Sequence, residues 1–416
     1  MTVVPGIDLS RFIHAGDGVW WSQTSAEPTP LVHGLLDQVD KIGAIRAFVG
    51  MTWNQRLTTE LPEALTVVSY GALGELRALS KAGLLEVIPC NYSALPRMFE
   101  RGELPRDIGF VQVSPPDAQG MCSLGVGVDY IADAVEHTRV LIAEVNKQMP
   151  STVGSTKIPL HRFAAVVETD RPLLEFAAVD PNPTEATIAD FVAGLIEDGD
   201  TIQLGVGALP GAVLARLRDR ADLGIHSGMI SDGVADLMDL GVITGARKEI
   251  DRGIAVTGAA LGSTSLYERA NDLGIQFRAA SYTHSPETLS QLRSLVSINS
   301  AIEVDITGQV NAERRHGAYI GAIGGQSDFS RAASLTGRLS IIALRSKSGS
   351  HSTIVPSVRT VTTSRADVDV VVTEHGIAQL RGHGFRERAK RLAAIADPEF
   401  RDDLEQAIAE RIPLKA

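Results

Sequence analysis

Short apolar runs alternate with longer amphipathic stretches along most of the chain. The apolar runs have the length of buried strands, and the amphipathic stretches have the length of helices. Strands are predicted at 66–70, 85–89, 110–113, 140–145, 201–204, 254–257, 295–298, 339–343 and 368–372, and helices at 73–82, 186–197, 212–218 and 397–411. Because the two kinds of element alternate, the pattern predicts an α/β fold whose parallel-rich sheets are flanked by helices.

The stretch 179–184 (VDPNPT) is polar and rich in turn-forming residues, and it separates two rounds of this alternation. A chain of 416 residues exceeds the usual size of one domain. We therefore predict two α/β domains, 1–183 and 184–416. Two similar halves would be an architectural duplication, because no short-period repeat is visible in the sequence.

Composition and charge narrow the class of protein. Hydrophobic residues make up 44% and charged residues 21%, as in an ordinary globular protein. A net charge of −11 argues against a nucleic-acid partner, since no basic excess is available to neutralise phosphates. Cys90 and Cys122 are too few for a disulfide framework or a zinc ligand set, so no metal is expected and a cytoplasmic location fits. The sequence indicates neither a signal peptide nor a membrane-spanning segment.

A glycine-rich loop, 204–211 (LGVGALPG), lies between a predicted strand and a predicted helix. In such a turn the backbone amides point outward, in a geometry that suits an oxyanion or a phosphate. The alternative is a structural role in close packing of strand against helix. A dinucleotide-binding interpretation is discounted, because the third glycine of that fingerprint is missing.

Several further segments carry patterned polar and glycine residues. They are 114–125 (SPPDAQGMCSLG), 224–233 (GIHSGMISDG), 299–311 (NSAIEVDITGQVN), 321–329 (GAIGGQSDF) and 361–382, which contains VTEHGIAQLRG. In this order, and together with 204–211, they resemble the acetyl-CoA hydrolase/transferase family, which includes 4-hydroxybutyrate and acetate CoA-transferases. The resemblance runs from about residue 66 to the C-terminus and is densest after residue 200.

The resemblance implies two CoA-transferase-type domains, with the active site in the cleft between them and mainly on the C-terminal half. It implies that Val206 and Gly207 form an oxyanion hole, and that Gly324, Gly325 and Gln326 lie against coenzyme A. An acyl-CoA and a carboxylic acid would be the reactants, and the protein would be a homodimer or homotetramer. The family's covalent nucleophile is a glutamate in the segment GIHSEMISDG, and here that position is Gly228.

Three interpretations of Gly228 remain open. The first is a natural family member with altered chemistry, in which His226, Glu374 or His316 activates a water for thioester hydrolysis or another acyl-CoA conversion. The second is an ordinary transferase that carries a substitution at 228. The third is an acyl-CoA-binding protein without catalysis.

Drift in other active-site segments favours the first interpretation, because 320–323 and 343–346 also depart from the family pattern. The substitutions Ile320, Ala322 and Ile323, together with Gly228, predict room for an acyl group larger or more apolar than acetyl. Of the possible bases, His226 lies two residues from Gly228 and would share its face of a strand. Since the family also carries Glu374, a structural role is the alternative for that residue.

Overall fold

The computed structural model of the chain describes residues 6–176, 179–315 and 317–411. The chain divides into two compact units, and each is assembled from separate stretches of sequence. The first unit comprises Met1–Ala177, Val256–Ser285 and Gly317–Gly324. The second comprises Ala178–Ala255, Pro286–His316 and Gly325–Ala416.

The strands succeed one another through both units. Those up to residue 176 are β1 (Gly18–Trp21), β2 (Ile45–Phe48), β3 (Leu65–Ser69), β4 (Leu85–Val87), β5 (Ile108–Val113), β6 (Met121–Ser123), β7 (Val140–Asn146), β8 (Lys157–Pro159) and β9 (Phe163–Thr169). Those after it are β10 (Thr201–Leu204), β11 (Gly224–Ile230), β12 (Val256–Ala260), β13 (Gln276–Phe277), β14 (Leu295–Ser300), β15 (Glu303–Asp305), β16 (Val310–Asn311), β17 (Arg314–Arg315), β18 (Ala318–Tyr319), β19 (Leu339–Ala343), β20 (Lys347–Ser348), β21 (His351–Ser352), β22 (Ile354–Val355), β23 (Val370–Thr373) and β24 (Gly376–Gln379).

Helices lie between these strands. They are α1 (Thr29–Ile42), α2 (Leu76–Lys81), α3 (Leu95–Arg101), α4 (Asp129–Glu136), α5 (Pro183–Ala193), α6 (Ala208–Ala215), α7 (Asp232–Asp239), α8 (Thr264–Arg269), α9 (Ala280–Thr283), α10 (Pro286–Leu289), α11 (Gln326–Leu335), α12 (Phe385–Ala394) and α13 (Arg401–Arg411). Among the described residues, no helix combines the length and apolar character that crossing a membrane requires.

The first unit is organised by a seven-stranded parallel sheet in the order β4-β3-β2-β1-β5-β7-β9. Strand β5 is buried along its whole length, as expected for a central strand covered on both faces. Helix α1 buries one side of its surface, formed by Leu31, Leu35 and Val39 with their neighbours, in the apolar core on one face of this sheet. Burial of that apolar stripe, more than helix propensity, stabilises the helix.

The second unit contains the parallel order β11-β10-β14-β19-β23, followed by the antiparallel strand β24. Its first helix, α5, begins with a capping box in which the Asn182 side chain accepts from the Glu185 amide and Glu185 accepts from the Asn182 amide. Pro183 occupies the first helical position, where its missing amide hydrogen costs nothing.

The two units repeat one strand order, since β2-β1-β5-β7-β9 in the first matches β11-β10-β14-β19-β23 in the second. The α/β fold with parallel-rich sheets that the sequence predicts is confirmed. In such sheets the order reverses beside the central strand, and ligands bind where the carboxyl ends of the strands leave a crevice. The ends of β1 and of β10 are therefore the places where chemistry is expected.

Candidate functional site

The glycine-rich segment 204–211 follows β10, as predicted, but only residues 205–207 form a loop, and residues 208–211 form the first turn of α6. Gly207 has φ +121°, a conformation that favours glycine, and it caps α6 without any side-chain hydrogen bond. A Cβ added at Gly205, Gly207 or Gly211 would meet no atom within 4 Å, so open space borders the loop. The amides at the start of α6 have no intrahelical acceptors, which makes this a place for a negatively charged oxygen.

Strand β11 lies beside β10 and carries position 228. The two strands pair in parallel through Thr201 with Gly224 and Ile202 with Ile225. Ser227 donates from its hydroxyl to the carbonyl of Leu204 at 2.9 Å, which fixes β11 against the last residue of β10. The glycine-rich loop and position 228 are therefore brought together at the carboxyl ends of two neighbouring strands.

His226 lies in the same strand as Gly228. Since side chains alternate along a strand, residues 226 and 228 project from the same face of the sheet. His226 is completely buried, whereas Gly228 and Met229 are partly exposed. That His226 and Gly228 project from one face follows from the strand geometry of β11. The role of the imidazole as a base stays a prediction.

Lys248 is a buried cation that no sequence motif singles out. Its side chain is 1% exposed, and the ammonium donates to the carbonyl of Ile225 at 3.0 Å and to that of Ile254 at 2.7 Å. A Cβ at Gly224 would meet the Lys248 side chain at 2.6 Å, so glycine is required at the start of β11. In the sequence Lys248 stands in the polar stretch GARKEID, which gives no sign of burial.

Glu374 lies in the turn between β23 and β24, and its carboxylate is engaged. One oxygen accepts from the Ser346 amide at 2.8 Å, and the other accepts from the Ser346 hydroxyl at 2.7 Å. Strands of a sheet are about 4.8 Å apart, and β23 is four positions from β11, so the two strands are separated by roughly 19 Å. Glu374 holds the chain after β19 and does not adjoin Gly228.

The segment 321–329 divides between two environments. Its first half belongs to the first unit, where Gly321 accepts from the Ala72 amide at 2.8 Å and Gly324 accepts from the Tyr92 amide at 2.9 Å. The Ala322 side chain faces Gly71, and a Cβ at Gly71 would approach the Ala322 Cβ to 2.4 Å. The methyl group of Ala322 is therefore used in packing, and Gly71 is a matching residue that sequence reasoning missed.

The second half of this segment begins helix α11 in the second unit. Gly325 is the N-cap residue, and the Gln326 amide donates to the Thr363 hydroxyl at 3.3 Å. Ser327 donates to the carbonyl of Thr362 at 2.6 Å. One of the two donor hydrogens of the Gln326 side chain is therefore used within the protein, and contact of Gly324, Gly325 and Gln326 with coenzyme A stays a prediction.

Two further predictions concern His316 and a metal site. His316, one of the three proposed bases, lies outside the described residues. Within the described ranges, no group of three histidine, cysteine, aspartate or glutamate side chains is arranged to hold a metal ion.

Comparison with known proteins identifies the family of the chain. The acetyl-CoA hydrolase/transferase N-terminal domain matches residues 7–182, and the C-terminal domain of the same family matches residues 262–408. The 4-hydroxybutyrate coenzyme A transferase of Clostridium kluyveri is 41% identical over 338 residues, which are 80% of this chain and 79% of that protein.

Two other comparisons span nearly the whole chain. The succinyl-CoA:cyclohexane-1-carboxylate CoA transferase of Geobacter metallireducens is 31% identical over 415 residues, covering 96% of this chain and 93% of that one. The crystal structure of RipA from Yersinia pestis superposes with a TM-score of 0.91 at 34% identity, covering 98% of this chain and 96% of that one. The chain belongs to the acetyl-CoA hydrolase/transferase family of enzymes.

Proposed function

We propose that this protein converts an acyl-CoA by attack of an activated water on the thioester, without a covalent glutamyl intermediate. The observation that carries the proposal is the glycine at position 228 of β11, beside an open loop of backbone amides. A glycine offers no nucleophile, so transfer through a glutamyl-CoA thioester has no chemical basis in this chain.

The proposed step is hydrolysis. The water oxygen forms a bond to the thioester carbonyl carbon, and the carbonyl electrons move onto oxygen, where the Val206 and Gly207 amides stabilise the negative charge. Collapse of this intermediate breaks the carbon–sulfur bond, and the proton taken from water passes to the leaving sulfur, which releases coenzyme A and the free acid. His226 is the proposed base that takes the proton from water, because it shares the face of β11 with residue 228.

The space left by a glutamate side chain at 228 is proposed to hold either this water or part of a larger acyl group. Glycine in place of glutamate removes the side-chain methylenes and the carboxylate from this face of the strand. Ala322 packs toward Gly71, so the case for a larger acyl group rests on Gly228 rather than on Ala322. An acyl-CoA is therefore the proposed substrate and a free carboxylic acid the proposed product, in a homodimer or homotetramer in the cytoplasm.

The test is mass spectrometry of the coenzyme A products after incubation with a panel of acyl-CoAs, with and without acetate. The parent protein is compared with Gly228→Glu and with Gly228→Gln, which has the same size but no carboxylate. We expect the parent to release free acid and coenzyme A from one acyl-CoA, independently of acetate.

Two other outcomes would replace this proposal. If the parent is inert and only Gly228→Glu transfers coenzyme A to acetate, the scaffold is a transferase that has lost its nucleophile. If the parent binds acyl-CoA in equilibrium dialysis and converts none of the panel, a binding role without catalysis takes its place.

A further inference from the structure

A groove with a cavity of about 710 Å³ lies in the second unit, between the last two helices, α12 and α13. Counted from Arg386 in α12 and from Arg401 in α13, the lining positions are the first residue and the residues four, seven and eight positions later. This spacing places four side chains on one face of each helix. The volume is that of a small-molecule site, since such sites measure about 300–1,000 Å³.

Half of the lining of this groove is apolar. It consists of Ala393 and Ala394 from α12 and of Ile408 and Ala409 from α13. Ala393 belongs to a buried apolar core of the second unit, and Ile408 packs against that core. Because alanine side chains are short, the two helices leave space between them that a hydrocarbon body can fill.

The other half of the lining is charged. It contains three cations, Arg386, Lys390 and Arg401, and one carboxylate, Glu405. Lys390 is exposed and the two arginines are half-buried, so their aliphatic stems cover apolar surface while their charges stay near water. The Nε of Arg401 donates to the carbonyl of Ala396 at 3.0 Å, which orients its guanidinium. The lining therefore has a surplus of two positive charges.

Neighbouring carboxylates do not neutralise this surplus. Across residues 6–176, 179–315 and 317–411, no aspartate or glutamate forms an ion pair with Arg386, Lys390 or Arg401. The next cation along α12, Arg391, does have such a partner, since it pairs with Glu387 at 2.8 Å. In a protein of net charge −11, three cations that line one groove and lack carboxylate partners attract anions to that groove.

We propose that the groove between α12 and α13 binds a small organic anion, whose head group is attracted by Arg386, Lys390 and Arg401 and whose hydrocarbon body packs on Ala393 and Ile408. A carboxylate and a phosphate monoester share this chemistry, because the planar donors of arginine match both groups. The groove is formed by residues 386–409 alone, so the proposal does not rest on the reaction proposed for Gly228.

The test observes the δ1-methyl group of Ile408, because this residue lines the groove and therefore reports binding there. The full-length protein is labelled with ¹³C at its isoleucine methyl groups, and Ile408→Val identifies the signal of Ile408. Three probes with the same six-carbon body are titrated at about pH 7.5, where amines are protonated and carboxylic acids are ionised. The probes are hexyl phosphate, hexanoate and hexylammonium.

We expect both anions to shift the Ile408 signal saturably and hexylammonium to leave it unchanged. The anion that binds more tightly identifies the head group as a phosphate or a carboxylate. Raising the ionic strength to about 1 M should weaken binding of either anion several-fold, because charges are then screened over about 3 Å.

Variants of the lining charges test the electrostatic part of the proposal. Lys390→Gln and Arg386→Gln should each raise the dissociation constant of the bound anion about threefold, because each removes one partly exposed attraction. Glu405→Gln should lower the constant about twofold, because it removes the only negative charge of the lining. Arg391→Gln is the matched control, since this cation of α12 is paired with Glu387 and does not line the groove. It should leave the constant nearly unchanged.

Three results would overturn the proposal. The first is preferential binding of hexylammonium, which would mean that Glu405 dominates the groove. The second is the absence of a saturable Ile408 shift with all three probes while the other isoleucine signals stay native. The third is an Ile408 signal that moves without any probe, either when the protein is diluted or when the chain is shortened to end at Arg411. That result would assign the groove to a second copy of the chain or to the end of the chain itself.

Discussion

The sheets of the two units share a strand order, but the loop after β1 in the first unit differs from the loop after β10 in the second. Beyond β1 the chain enters residues 22–28, all of them buried, and the side chain of Gln23 makes four hydrogen bonds. Beyond β10 the chain enters 205–207, where Gly205 is exposed and open space borders the loop. At the end of β1, hydrogen-bonded side chains fill the loop. At the end of β10, the glycines leave the backbone amides of the loop without covering side chains.

The parallel strands create a crevice at both sheet ends, and the loop residues determine the chemistry of each crevice. Parallel strands ending together produce a crevice in both units. In the first unit Gln23 bonds to Tyr70, Tyr92, Asp129 and the Met51 amide, so the loop is held by its own polar side chains. In the second unit the loop is short and glycine-rich and open space borders it, as the proposed role of its amides in stabilising a thioester oxyanion requires.

The largest effect is expected from placing a carboxylate at the open end. Gly228→Glu should raise transfer of coenzyme A from an acyl-CoA to acetate on the order of 10³-fold or more, because covalent catalysis becomes available. The rate is measured by mass spectrometry of acetyl-CoA. Gly228→Gln is the matched control, and equal rates for the two variants would show that the carboxylate is not the cause.

The second effect is a loss of stability when the hydrogen bonds of Gln23, in the loop after β1, are removed. Gln23→Leu should lower the free energy of unfolding by about 4 kcal/mol or more, because four buried partners lose a hydrogen bond and each unsatisfied group costs about 1 kcal/mol or more. Gln203 on β10 exchanges hydrogen bonds with Asn299, at 3.1 and 3.3 Å, so Gln203→Leu should cost less than half as much. Urea unfolding measures both, and equal costs would remove the distinction between the two ends.

The third effect is a dependence of stability on pH that arises from Glu27, in the loop after β1. The pKa of Glu27 is raised from 4.5 to about 6 by burial, so the folded state keeps a proton that the unfolded chain has already lost. The contribution of Glu27 to stability therefore falls as pH rises from about 4.5 to about 6, by about 2 kcal/mol in all.

Glu27→Gln should remove this fall, which is measured as the difference between parent and variant in unfolding free energy at pH 4.5 and pH 7. Asp129, whose pKa burial also raises to about 6, is present in both proteins and cancels in the difference. A variant that tracks the parent curve at every pH would contradict the assignment to Glu27.

The smallest effect compares a glycine at each end. Gly71→Ala should destabilise the protein by about 1–2 kcal/mol, because the added methyl meets the Ala322 Cβ at 2.4 Å and the Gly321 carbonyl at 2.8 Å. Gly205→Ala meets nothing within 4 Å and should change stability by less than about 0.5 kcal/mol. Thermal unfolding ranks the two, and a reversed order would mean that the contact at Gly71 relaxes freely.

The sequence predicts the fold class well because its apolar runs coincide with strands. The predicted strands 201–204 and 339–343 are identical in extent to β10 and β19. Strands β1 and β2 are not predicted, since no motif draws attention to these two short segments. Helix α6 begins at Ala208, earlier than predicted, because Pro210 is tolerated in the first turn of a helix.

The site could be predicted only where a single segment carries it. The strand–loop–helix order places Val206 and Gly207, and the strand period places His226 and Gly228 on one face. Burial of Lys248 and the match of Gly71 to Ala322 depend on contacts across 23 and 251 residues of sequence, which no local pattern records. The same reason hides Glu27, whose partners Thr52 and Asn54 lie on the next strand–loop connection.

The return of Gly317–Gly324 to the first unit has a consequence for how the protein is made. The ribosome synthesises this segment roughly 150 residues after Ala177, which at translation rates of about 5–20 residues per second means a delay of roughly 7 to 30 seconds. Until then the amides of Ala72 and Tyr92 lack the acceptors they have in the finished protein. A gene fragment ending at residue 183 would therefore encode an incomplete first unit, because that unit also contains Val256–Ser285 and Gly317–Gly324.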